Sequence, residues 1–424
     1  MDNIRRIIKK FLPKSVFTFF QPHYHLFLAW WGAVKYGFPS KKIIVIGVTG
    51  TKGKSTTTEL IGHILQSSGK KTASLSTIQF SINGEARRNM FKMTMPGRFF
   101  VQKFLREAVD TGCTHAVVEM TSEGARQFRH RFIDIDALVF TNLSPEHIES
   151  HGSFEKYKAA KLSIAQAVSK SPKRPRVIVS NVDDEHGDDF LAFGVEKRVP
   201  YSLKNLTLHT LQKDGISLVL DGVTFRVPIV GLFNVYNVLA AIKLAQTYGV
   251  SLDTAAEALR TLKPIAGRVE HFESPKEAQK QVTAVVDYAH TPDSLEKFYQ
   301  AFPERTKICI LGNTGGGRDT WKRPEMAGIA EKYCDHIILT NEDPYDEDPS
   351  KIVEEMAKGI SDKSKLSIIM DRKEAIRAAV AMVPVGGCVL ISGKGTDPYI
   401  MGPHGQKTPW SDAEVVKELL VELK

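Results

Sequence analysis

The chain has 424 residues, of which 42% are hydrophobic and 25% are charged. These values are close to the averages for soluble globular proteins, so a disordered or fibrous protein is excluded, and two to three domains of roughly 150 residues each are expected. The net charge of +9 is concentrated in residues 1–42, which contain eight basic side chains and one acid. Because the rest of the chain is nearly neutral, we expect no nucleic-acid-binding surface spread over the body.

The four cysteines are far apart and form no CxxC pair; they are Cys113, Cys309, Cys334 and Cys388. This spacing argues against a disulfide scaffold or a thiolate zinc site and favours a reducing cytoplasm. No run of about 18 uncharged apolar residues occurs, so no membrane-spanning helix is predicted. The N-terminus also lacks the small-residue cleavage site of a secretory signal.

Residues 1–40 form a basic, aromatic N-terminal segment. Ten aromatic side chains lie between residues 11 and 38, and no acid occurs between Asp2 and Glu59. Three interpretations stay open: the segment docks on the protein's own body, anchors it at a membrane interface, or forms an oligomer contact.

From residue 41 onward, short apolar runs alternate with amphipathic stretches. The pattern predicts buried strands at Ile43–Val48, His115–Met120, Ala137–Thr141 and Val177–Ser180, and helices at Thr56–Ser67, Phe99–Thr111 and Phe154–Ser169. This βαβ alternation is typical of a doubly wound parallel sheet. In residues 206–230, apolar residues alternate with polar ones on both sides of Asp214-Gly215 and Asp221-Gly222. These two dipeptides are hairpin signals, and they predict a small antiparallel addition.

Two predicted helices, Asn234–Tyr248 and Thr254–Leu262, precede a hinge at residues 263–267, after which the βαβ pattern restarts. Further strands are predicted at Val282–Asp287, Lys307–Leu311, His336–Thr340, Ser367–Met370 and Cys388–Ser392. The sequence therefore predicts an α/β protein with a central domain at residues 41–264 and a smaller Rossmann-like domain at residues 265–424.

A glycine-rich loop follows the first strand and opens the first helix; it reads Gly50-Thr51-Lys52-Gly53-Lys54-Ser55-Thr56. Such a P-loop turns backbone amides and a helix N-terminus toward phosphates. Lys54 is expected to reach the β- and γ-phosphates, and Ser55 to coordinate Mg²⁺. The strict pattern has glycine where this chain has Val48.

Glu119 and His147 are predicted at the same rim of the sheet. Glu119 ends one strand and His147 follows the next, and the carboxyl ends of parallel strands form the usual ligand crevice. Taken singly, each would be an ordinary polar residue at a strand end. Their shared rim with Lys54 makes them candidates for metal binding.

These motifs resemble the Mur ligases, most closely those of the MurE type (UDP-N-acetylmuramyl tripeptide synthetases). The resemblance rests on the P-loop, Glu119 and the segments 141–147, 151–161, 231–237, 267–270, 287–292 and 318–324, and it covers residues 41–424. It implies ATP and Mg²⁺ as cofactors, with Mg²⁺ held by Ser55, Glu119, His147 and a carbamylated Lys161. It also implies catalytic roles for Lys54, Glu119, His147 and Lys161. Without the resemblance, Lys161 would be an ordinary solvated helix lysine.

The resemblance further implies that the second domain completes the nucleotide site through Asn234, Arg268, Asp287 and His290. On the acyl side it implies that a muramyl peptide contacts Thr94, Thr121, Gln127 and Arg129, with Thr121 in place of the family's serine. Arg129 suits a carboxylate, although by itself it would be an ordinary salt-bridge arginine.

The amino-acid end departs from the family. The Asp-Asn-Pro-Arg of diaminopimelate-adding members reads Glu342-Asp343-Pro344-Tyr345, and Gly-Lys-Gly-His-Glu reads Gly393-Lys394-Gly395-Thr396-Asp397. A phenol cannot replace a bidentate arginine. Acids stand nearby at Glu342, Asp343, Asp346 and Asp397, so a side chain ending in an amine is expected, unless these acids only solvate a loop. We expect the amino acid to contact Glu342, Asp343, Gly393 and Asp397, with Arg318 on its α-carboxylate. About 40 residues stand where the family has a UDP-binding domain, which puts UDP recognition in doubt.

The predicted function is an ATP-dependent, ADP-forming amide ligase that adds an amino acid to a muramyl-peptide-type peptidoglycan precursor. The alternatives are a folylpolyglutamate-type or other peptide ligase and a catalytically inactive nucleotide-binding scaffold. Expected partners are the acyl substrate and a free amino acid, with no nucleic acid. The expected location is the cytoplasm, with a membrane contact through residues 1–40 as an option.

Overall fold

A computed structural model describes the backbone of residues 14–146, 148–317 and 319–423, with side chains from residue 20 onward. Residues 1–13, His147 and Arg318, about which the sequence made predictions, lie outside the described residues. The chain forms two compact units. The first contains the described residues up to Leu203 and Asn237–Ala255; the second contains Lys204–Tyr236 and residues 256–423. The hairpin region, which the sequence places in the central domain, thus clusters with the second unit.

The first unit is built on a mixed sheet with helices between its strands. Its strands are β1 (Ile44–Thr49), β2 (Thr72–Leu75), β3 (Gln79–Ile82), β4 (Glu85–Arg88), β5 (His115–Glu119), β6 (Ala137–Phe140), β7 (Val177–Asn181) and β8 (Lys197–Tyr201). The strand order is β4-β3-β2-β5-β1-β6-β7-β8, and the pairs from β2 to β8 are parallel. Because β1 lies between β5 and β6, the ends of these three strands meet beside the P-loop.

The helices of the first unit cover this sheet. They are α1 (Lys14–Lys35), α2 (Lys54–Ser67), α3 (Arg98–Asp110), α4 (Ser122–Arg126), α5 (Ile148–His151), α6 (Phe154–Ser169) and α7 (Gly187–Leu191). Two further helices belong partly to each unit. Helix α8 (Leu232–Thr247) begins in the second unit and ends in the first, and α9 (Leu252–Arg260) begins in the first unit and ends in the second. Core residues such as Val45, Val118, Leu138 and Ile164 are almost fully buried between sheet and helices.

The second unit contains an antiparallel three-stranded sheet and a six-stranded sheet. The former comprises β9 (Leu206–Gln212), β10 (Gly215–Leu220) and β11 (Val223–Val227). The latter comprises β12 (Glu270–Glu273), β13 (Thr283–Val286), β14 (Lys307–Leu311), β15 (His336–Leu339), β16 (Leu366–Ile368) and β17 (Cys388–Ile391), in the order β12-β13-β17-β14-β15-β16. Only the β12–β13 pair is antiparallel.

Helices α10 (Pro292–Gln300), α11 (Lys322–Tyr333), α12 (Pro349–Ala357), α13 (Arg372–Met382) and α14 (Asp412–Val421) surround the six-stranded sheet, and β18 (Tyr399–Met401) pairs with β19 (Lys407–Pro409). The predicted hairpins at residues 206–230 and the predicted buried strands are confirmed to within one or two residues. Strands β2–β4, β8 and β12 were not predicted, because they are short or polar and β4 is fully exposed.

A disulfide joins Cys309 on β14 to Cys334, the residue after α11, across 25 residues of sequence. The spacing of the cysteines gave no sign of this pair, although a single disulfide is not the disulfide scaffold that the sequence argued against. The reason is topological: a helix that follows a strand packs back on the sheet and brings distant residues together. No helix in the described part of the chain is long and apolar enough to cross a membrane.

Candidate active site

The P-loop connects β1 to α2, and its glycines are required by the local geometry. Gly50 has φ +148° and Gly53 has φ +79°. A Cβ at residue 50 would lie 1.9 Å from Thr141 Oγ1, and one at residue 53 would lie 2.3 Å from Asn237 Oδ1. Side chains at either position would therefore displace the groups that fix the loop.

The end of β6 holds the loop in place. Asn142 Oδ1 accepts from the Lys52 amide at 2.9 Å, and the Asn142 carbonyl accepts from the Thr51 amide at 2.8 Å. Thr141 Oγ1 donates to the Lys52 carbonyl at 2.7 Å. The first turn of α2 then directs its backbone N–H groups toward the loop, which is the arrangement that favours a phosphate.

Two lysines of the loop have protein partners. Lys54 Nζ donates to the Thr51 carbonyl at 2.9 Å, so it already lies over the loop. Lys52 Nζ forms an ion pair of 2.9 Å with Glu146. The structure thus brings together the loop residues that the sequence singled out.

Glu119 lies beside the start of α2, as its predicted place at the end of β5 requires. Its Oε2 accepts hydrogen bonds from Ser55 Oγ at 2.9 Å, from the Thr77 amide at 2.8 Å and from Thr77 Oγ1 at 3.0 Å. A buried carboxylate and a hydroxyl at this distance are oxygen donors of the kind that Mg²⁺ prefers. Glu119 and Ser55 therefore fit one magnesium position at the loop.

Lys161 is buried on α6, with 2% of its surface exposed. Its Nζ donates to the Gly50 carbonyl at 2.6 Å and lies 4.8 Å from the centre of the Tyr157 ring. Burial, followed by the positive charge of Lys54, lowers the pKa of Lys161 well below its usual value. A neutral amine is the form that adds to carbon dioxide, so this environment suits the carbamate implied by the resemblance.

In the described residues, no cluster of three or more His, Cys, Asp or Glu side chains gathers as a metal site. The candidate magnesium ligands would not form such a cluster, because they include the hydroxyl of Ser55 and a modified lysine, Lys161. The position of His147, the remaining predicted ligand, lies outside the described residues.

The predicted acyl-substrate residues lie next to one another in the first unit. Thr94 Oγ1 shares a hydrogen bond of 2.7 Å with Thr77 Oγ1, which in turn bonds Glu119. Thr121 Oγ1 caps α4 by accepting from the Gly124 amide at 3.0 Å. A continuous chain of hydrogen bonds therefore links the candidate magnesium position to Thr94.

Arg129 and Gln127 contact each other through a bond of 2.9 Å from Nη2 to Oε1. Arg129 also donates to the Met95 carbonyl, one residue from Thr94. Its buried Nε has no hydrogen-bond partner among the described residues, and burial lowers the pKa of its guanidinium. A half-buried cation with an unused donor suits an anionic ligand.

In the second unit, three of the predicted nucleotide residues, Arg268, Asp287 and His290, lie around Tyr288. Asp287 accepts from the Val269 and Ala289 amides at 2.8 and 2.7 Å, and burial raises its pKa against the lowering effect of Arg268. The Arg268 guanidinium stacks 4.6 Å from the Tyr288 ring centre, and His290 Nδ1 lies 2.7 Å from the Tyr288 carbonyl oxygen. Asn234 donates to the Val230 carbonyl at 2.8 Å, within the start of α8.

Two of the predicted amino-acid residues of the second unit, Glu342 and Asp343, are buried acids, but they are not equivalent. Asp343 forms an ion pair of 2.8 Å with Lys394, whose Nζ lies 3.7 Å from Asp397. Glu342 accepts from Thr314 Oγ1 at 2.9 Å, while its buried Oε2 has no hydrogen-bond partner among the described residues. Gly393 allows this approach, because a Cβ there would lie 2.3 Å from Glu342 Oε2.

Sequence reasoning missed three contributors to the site: Thr77, Asn142 and Tyr157, whose hydroxyl bonds Thr51 Oγ1 at 2.9 Å. Thr77 follows β2, and recognising that strand would have placed it at the ligand rim. Asn142 belongs to a motif already noted but was given no role. Tyr157 lies in the segment 151–161 that was also noted, but it was given no role because an aromatic residue in a helix usually belongs to the core.

Comparison with known proteins agrees with this architecture. Residues 48–245 match the Mur ligase middle domain, and residues 267–395 match the Mur ligase glutamate ligase domain. The chain is 35% identical over 410 residues to the UDP-N-acetylmuramoyl-L-alanyl-D-glutamate--2,6-diaminopimelate ligase of Syntrophomonas wolfei, covering 93% of this chain and 81% of that protein. It is 36% identical over 395 residues to the enzyme of that name from Aquifex aeolicus, covering 91% and 79%.

The chain belongs to the Mur ligase family. It is an ATP-dependent, ADP-forming ligase that makes an amide bond to an amino acid.

Solved structures extend the comparison. A UDP-N-acetylmuramoyl-L-alanyl-D-glutamate--2,6-diaminopimelate ligase structure aligns with TM-score 0.60 and 29% identity over 89% of this chain and 78% of that one. The Mycobacterium tuberculosis folylpolyglutamate synthase aligns with TM-score 0.69 but 16% identity, over 87% of this chain and 92% of that one. The latter shares the fold alone. Like these proteins, this Mur ligase combines a P-loop ATPase domain with a smaller α/β domain.

Proposed function

We propose that this Mur ligase joins a free amino acid to a carboxylate of a muramyl-peptide precursor of peptidoglycan, with the catalytic domains at residues 41–264 and 265–424. Its relatives at 35–36% identity carry the name of a ligase acting on UDP-N-acetylmuramoyl-L-alanyl-D-glutamate. The observation that carries the proposal is the hydrogen-bond chain from Ser55 through Glu119 and Thr77 to Thr94. This chain of hydrogen bonds connects the expected magnesium position to Thr94, where the acyl substrate is expected to bind.

The proposed reaction has two steps. A carboxylate oxygen of the acyl substrate attacks the γ-phosphorus of ATP, and the bond to the ADP oxygen breaks. The amine of the amino acid then attacks the acyl carbon, phosphate leaves, and the amine loses a proton. Lys54, which lies over the loop, neutralises phosphate charge and positions the transferred group.

Ser55 and Glu119 are proposed to hold Mg²⁺, and His147 and carbamylated Lys161 a second ion. When bound, Mg²⁺ neutralises charge on the phosphate oxygens. Lys161 gains its carboxylate when its neutral amine adds to carbon dioxide and releases one proton. Burial of Lys161 beside Lys54 favours that neutral amine and supports the proposal.

The remaining assignments rest on the family resemblance. Thr94, Thr121, Gln127 and Arg129 are proposed to bind the muramyl peptide. Asn234, Arg268, Asp287 and His290 are proposed to bind nucleotide, and Arg318, Glu342, Asp343, Gly393 and Asp397 the amino acid. Because the reaction consumes ATP, we place it in the cytoplasm.

A phosphate-release screen tests the proposal. Each amino acid is offered with a muramyl dipeptide substrate, either free or UDP-linked, and with a folate in parallel. Phosphate release that requires both a muramyl dipeptide and an amino acid is expected. Release with folate and glutamate alone, or release independent of any acyl substrate, would contradict it.

A further inference from the structure

Helix α1 packs on the first unit through its small residues. Its buried positions are His25, Ala29, Gly32 and Ala33, which recur every three or four residues along one face. A Cβ on Gly32 would lie 3.6 Å from the backbone of Arg98 and Phe99 at the start of α3. The inner face is therefore narrow and close-fitting, and it docks the helix on the protein's own body.

The opposite face of α1 carries the large apolar residues. Phe20, Tyr24, Phe27, Trp31 and Val34 follow the same spacing on that side and are exposed, with Trp30 beside them. The exposed fractions are 55% for Phe27, 42% for Trp30 and 47% for Trp31. A soluble helix normally buries its bulky residues and exposes polar ones, so this distribution is reversed.

The aromatic residues of this outer face contact each other. The ring centres of Phe27 and Trp30 are 5.9 Å apart, and those of Trp30 and Trp31 are 6.2 Å apart. They form one surface, which we call the aromatic face and define as Phe20, Tyr24, Phe27, Trp30, Trp31 and Val34. A continuous apolar surface of this kind marks an interaction site.

The charged residues on either side of the aromatic face along the chain are all basic from Arg5 to Lys54. Lys35, Lys41 and Lys42 are exposed at the end of α1 and in the following turn. The sequence before residue 15 adds Arg5, Arg6, Lys9, Lys10 and Lys14, and no acid occurs between Asp2 and Glu59. The acid Asp110 of α3 is paired with Arg106, which bonds the Tyr36 carbonyl. Aromatic residues with cations on both sides along the chain complement a surface that is apolar inside and anionic outside.

We propose that the aromatic face docks this protein on an anionic lipid bilayer. Helix α1 lies in the plane of the interface, with its rings at the level of the headgroups and the lysines against lipid phosphates. Indole and phenol rings suit that depth because one part of each ring is apolar and another is polar. The protein binds without spanning, which agrees with the hydropathy of α1.

Helix α1 lies close to the residues that are predicted to bind the acyl substrate. Gly32 packs on Arg98, whose Nε donates to the Gln127 carbonyl at 2.9 Å. The helix thus lies next to the predicted acyl-substrate residues, and membrane binding would hold that edge of the first unit near the lipid. The proposal itself does not depend on the ligase activity.

Vesicle co-sedimentation of the full-length protein tests the proposal. Binding to vesicles of phosphatidylcholine with phosphatidylglycerol, lost in high salt and weak on phosphatidylcholine alone, is expected. Combined Phe27→Gln, Trp30→Gln and Trp31→Gln should reduce partitioning at least about tenfold. Combined Lys41→Gln and Lys42→Gln should reduce it about tenfold on anionic vesicles only.

The matched control replaces exposed apolar residues elsewhere. Leu208 and Leu211 on β9 are exposed to a similar extent. Combined Leu208→Thr and Leu211→Thr should sediment like the parent protein. Unchanged thermal unfolding of the glutamine variant shows that its loss of binding is not a loss of fold.

Tryptophan fluorescence provides an independent measurement. Anionic vesicles should shift the emission to shorter wavelength, and Trp30→Phe with Trp31→Phe should abolish that shift while keeping the protein on vesicles. The proposal is overturned if the parent protein stays in the supernatant or if the glutamine variant binds equally well. It is also overturned if the aromatic face instead forms a dimer in solution that the glutamine variant abolishes.

Discussion

Lys161 lies in surroundings that are unusual for a lysine on a helix. A lysine on an amphipathic helix would ordinarily extend into water. Here its amine is enclosed by α6 and the P-loop, beside Lys54, and both burial and charge lower its pKa. The lowered pKa favours the free amine, which is the form that reacts, whereas the partly exposed Lys158 on the same helix pairs with Asp189.

Removing either lysine of the site should abolish activity. Lys54→Ala and Lys161→Ala are expected to lower the rate of ADP release at least about a hundredfold, because phosphate charge and the metal-supporting carboxylate are lost. Thermal unfolding should change little. A short carboxylic acid should partly rescue Lys161→Ala, since it can replace the carbamate.

Lys158→Ala on the same helix is the control and should keep normal turnover. ADP release near the parent rate in either active-site variant would contradict the assigned roles.

We predict that the choice of amino acid depends on residues 342–345 and 393–397. Tyr345 replaces the family's arginine, and Asp343 is neutralised by Lys394, which leaves Glu342 as the acid with an unbonded oxygen among the described residues. We predict that lysine or ornithine is used in preference to meso-diaminopimelate. Glu342→Gln should lower the specificity constant for lysine at least about tenfold, as expected when a buried charged partner is lost.

The exposed Asp346→Asn should leave the preference for lysine unchanged. A competition assay measures it directly. Incorporation of diaminopimelate ahead of lysine and ornithine would refute the prediction.

At the scale of elements, the conformation of the P-loop between β1 and α2 depends on contacts with other elements of the first unit. Asn142 from the end of β6 and Asn237 from α8 both touch the P-loop, although they are far away in sequence. The glycines make room for these contacts. Their conformation is therefore fixed by the neighbouring elements as much as by the local turn.

A pair of glycine variants separates backbone strain from steric conflict. Gly53 and Gly69 both have positive φ, +79° and +85°, but a Cβ at Gly69 meets nothing within 4 Å. Gly69→Ala should lower the free energy of unfolding by only about 1 kcal/mol, because alanine is unfavourable at a positive φ. Gly53→Ala should cost about 1–3 kcal/mol more, because Asn237 must move.

Gly53→Ala should also weaken ADP binding at least about tenfold, measured by calorimetry, while Gly69→Ala should not. Equal effects of the two substitutions on stability and nucleotide affinity would show that the contact with Asn237 is unimportant.

At the scale of the whole molecule, stability should depend on pH through buried histidines. Burial, followed by the charge of Arg131, lowers the pKa of His130 from 6.5 to about 4. Between those values the unfolded chain binds a proton that the folded chain does not, so stability falls as pH falls through this window. The loss attributable to His130 is of the order of 1–3 kcal/mol.

Chemical denaturation at a series of pH values measures this loss. His130→Leu should flatten the decline below pH 6.5, and the exposed His404→Leu should leave it unchanged. An unaltered slope in His130→Leu would show that another group is responsible.

The sequence by itself determined the α/β class, most of the buried strands and the P-loop. These features depend on local patterns: apolar runs of strand length, helical periodicity and glycines at a turn between them. The rim position of Glu119 also followed, because the ends of parallel strands must meet at one edge. The expectation that Lys161 is carbamylated came from the resemblance to the Mur ligases. The residues around Lys161 in sequence do not indicate that it is buried.

Only the tertiary structure decided which side chains meet. Tyr157 bonds the loop at Thr51, Asn237 lies against it at Gly53, and Thr77 bonds Glu119. Cys309 pairs with Cys334 and Lys394 with Asp343, and all of these contacts join residues distant in sequence. The polar edge strands were missed because they bury too little apolar surface to create a pattern. The two faces of α1 likewise could not be assigned from sequence, because both are apolar and only packing against α3 buried the smaller one.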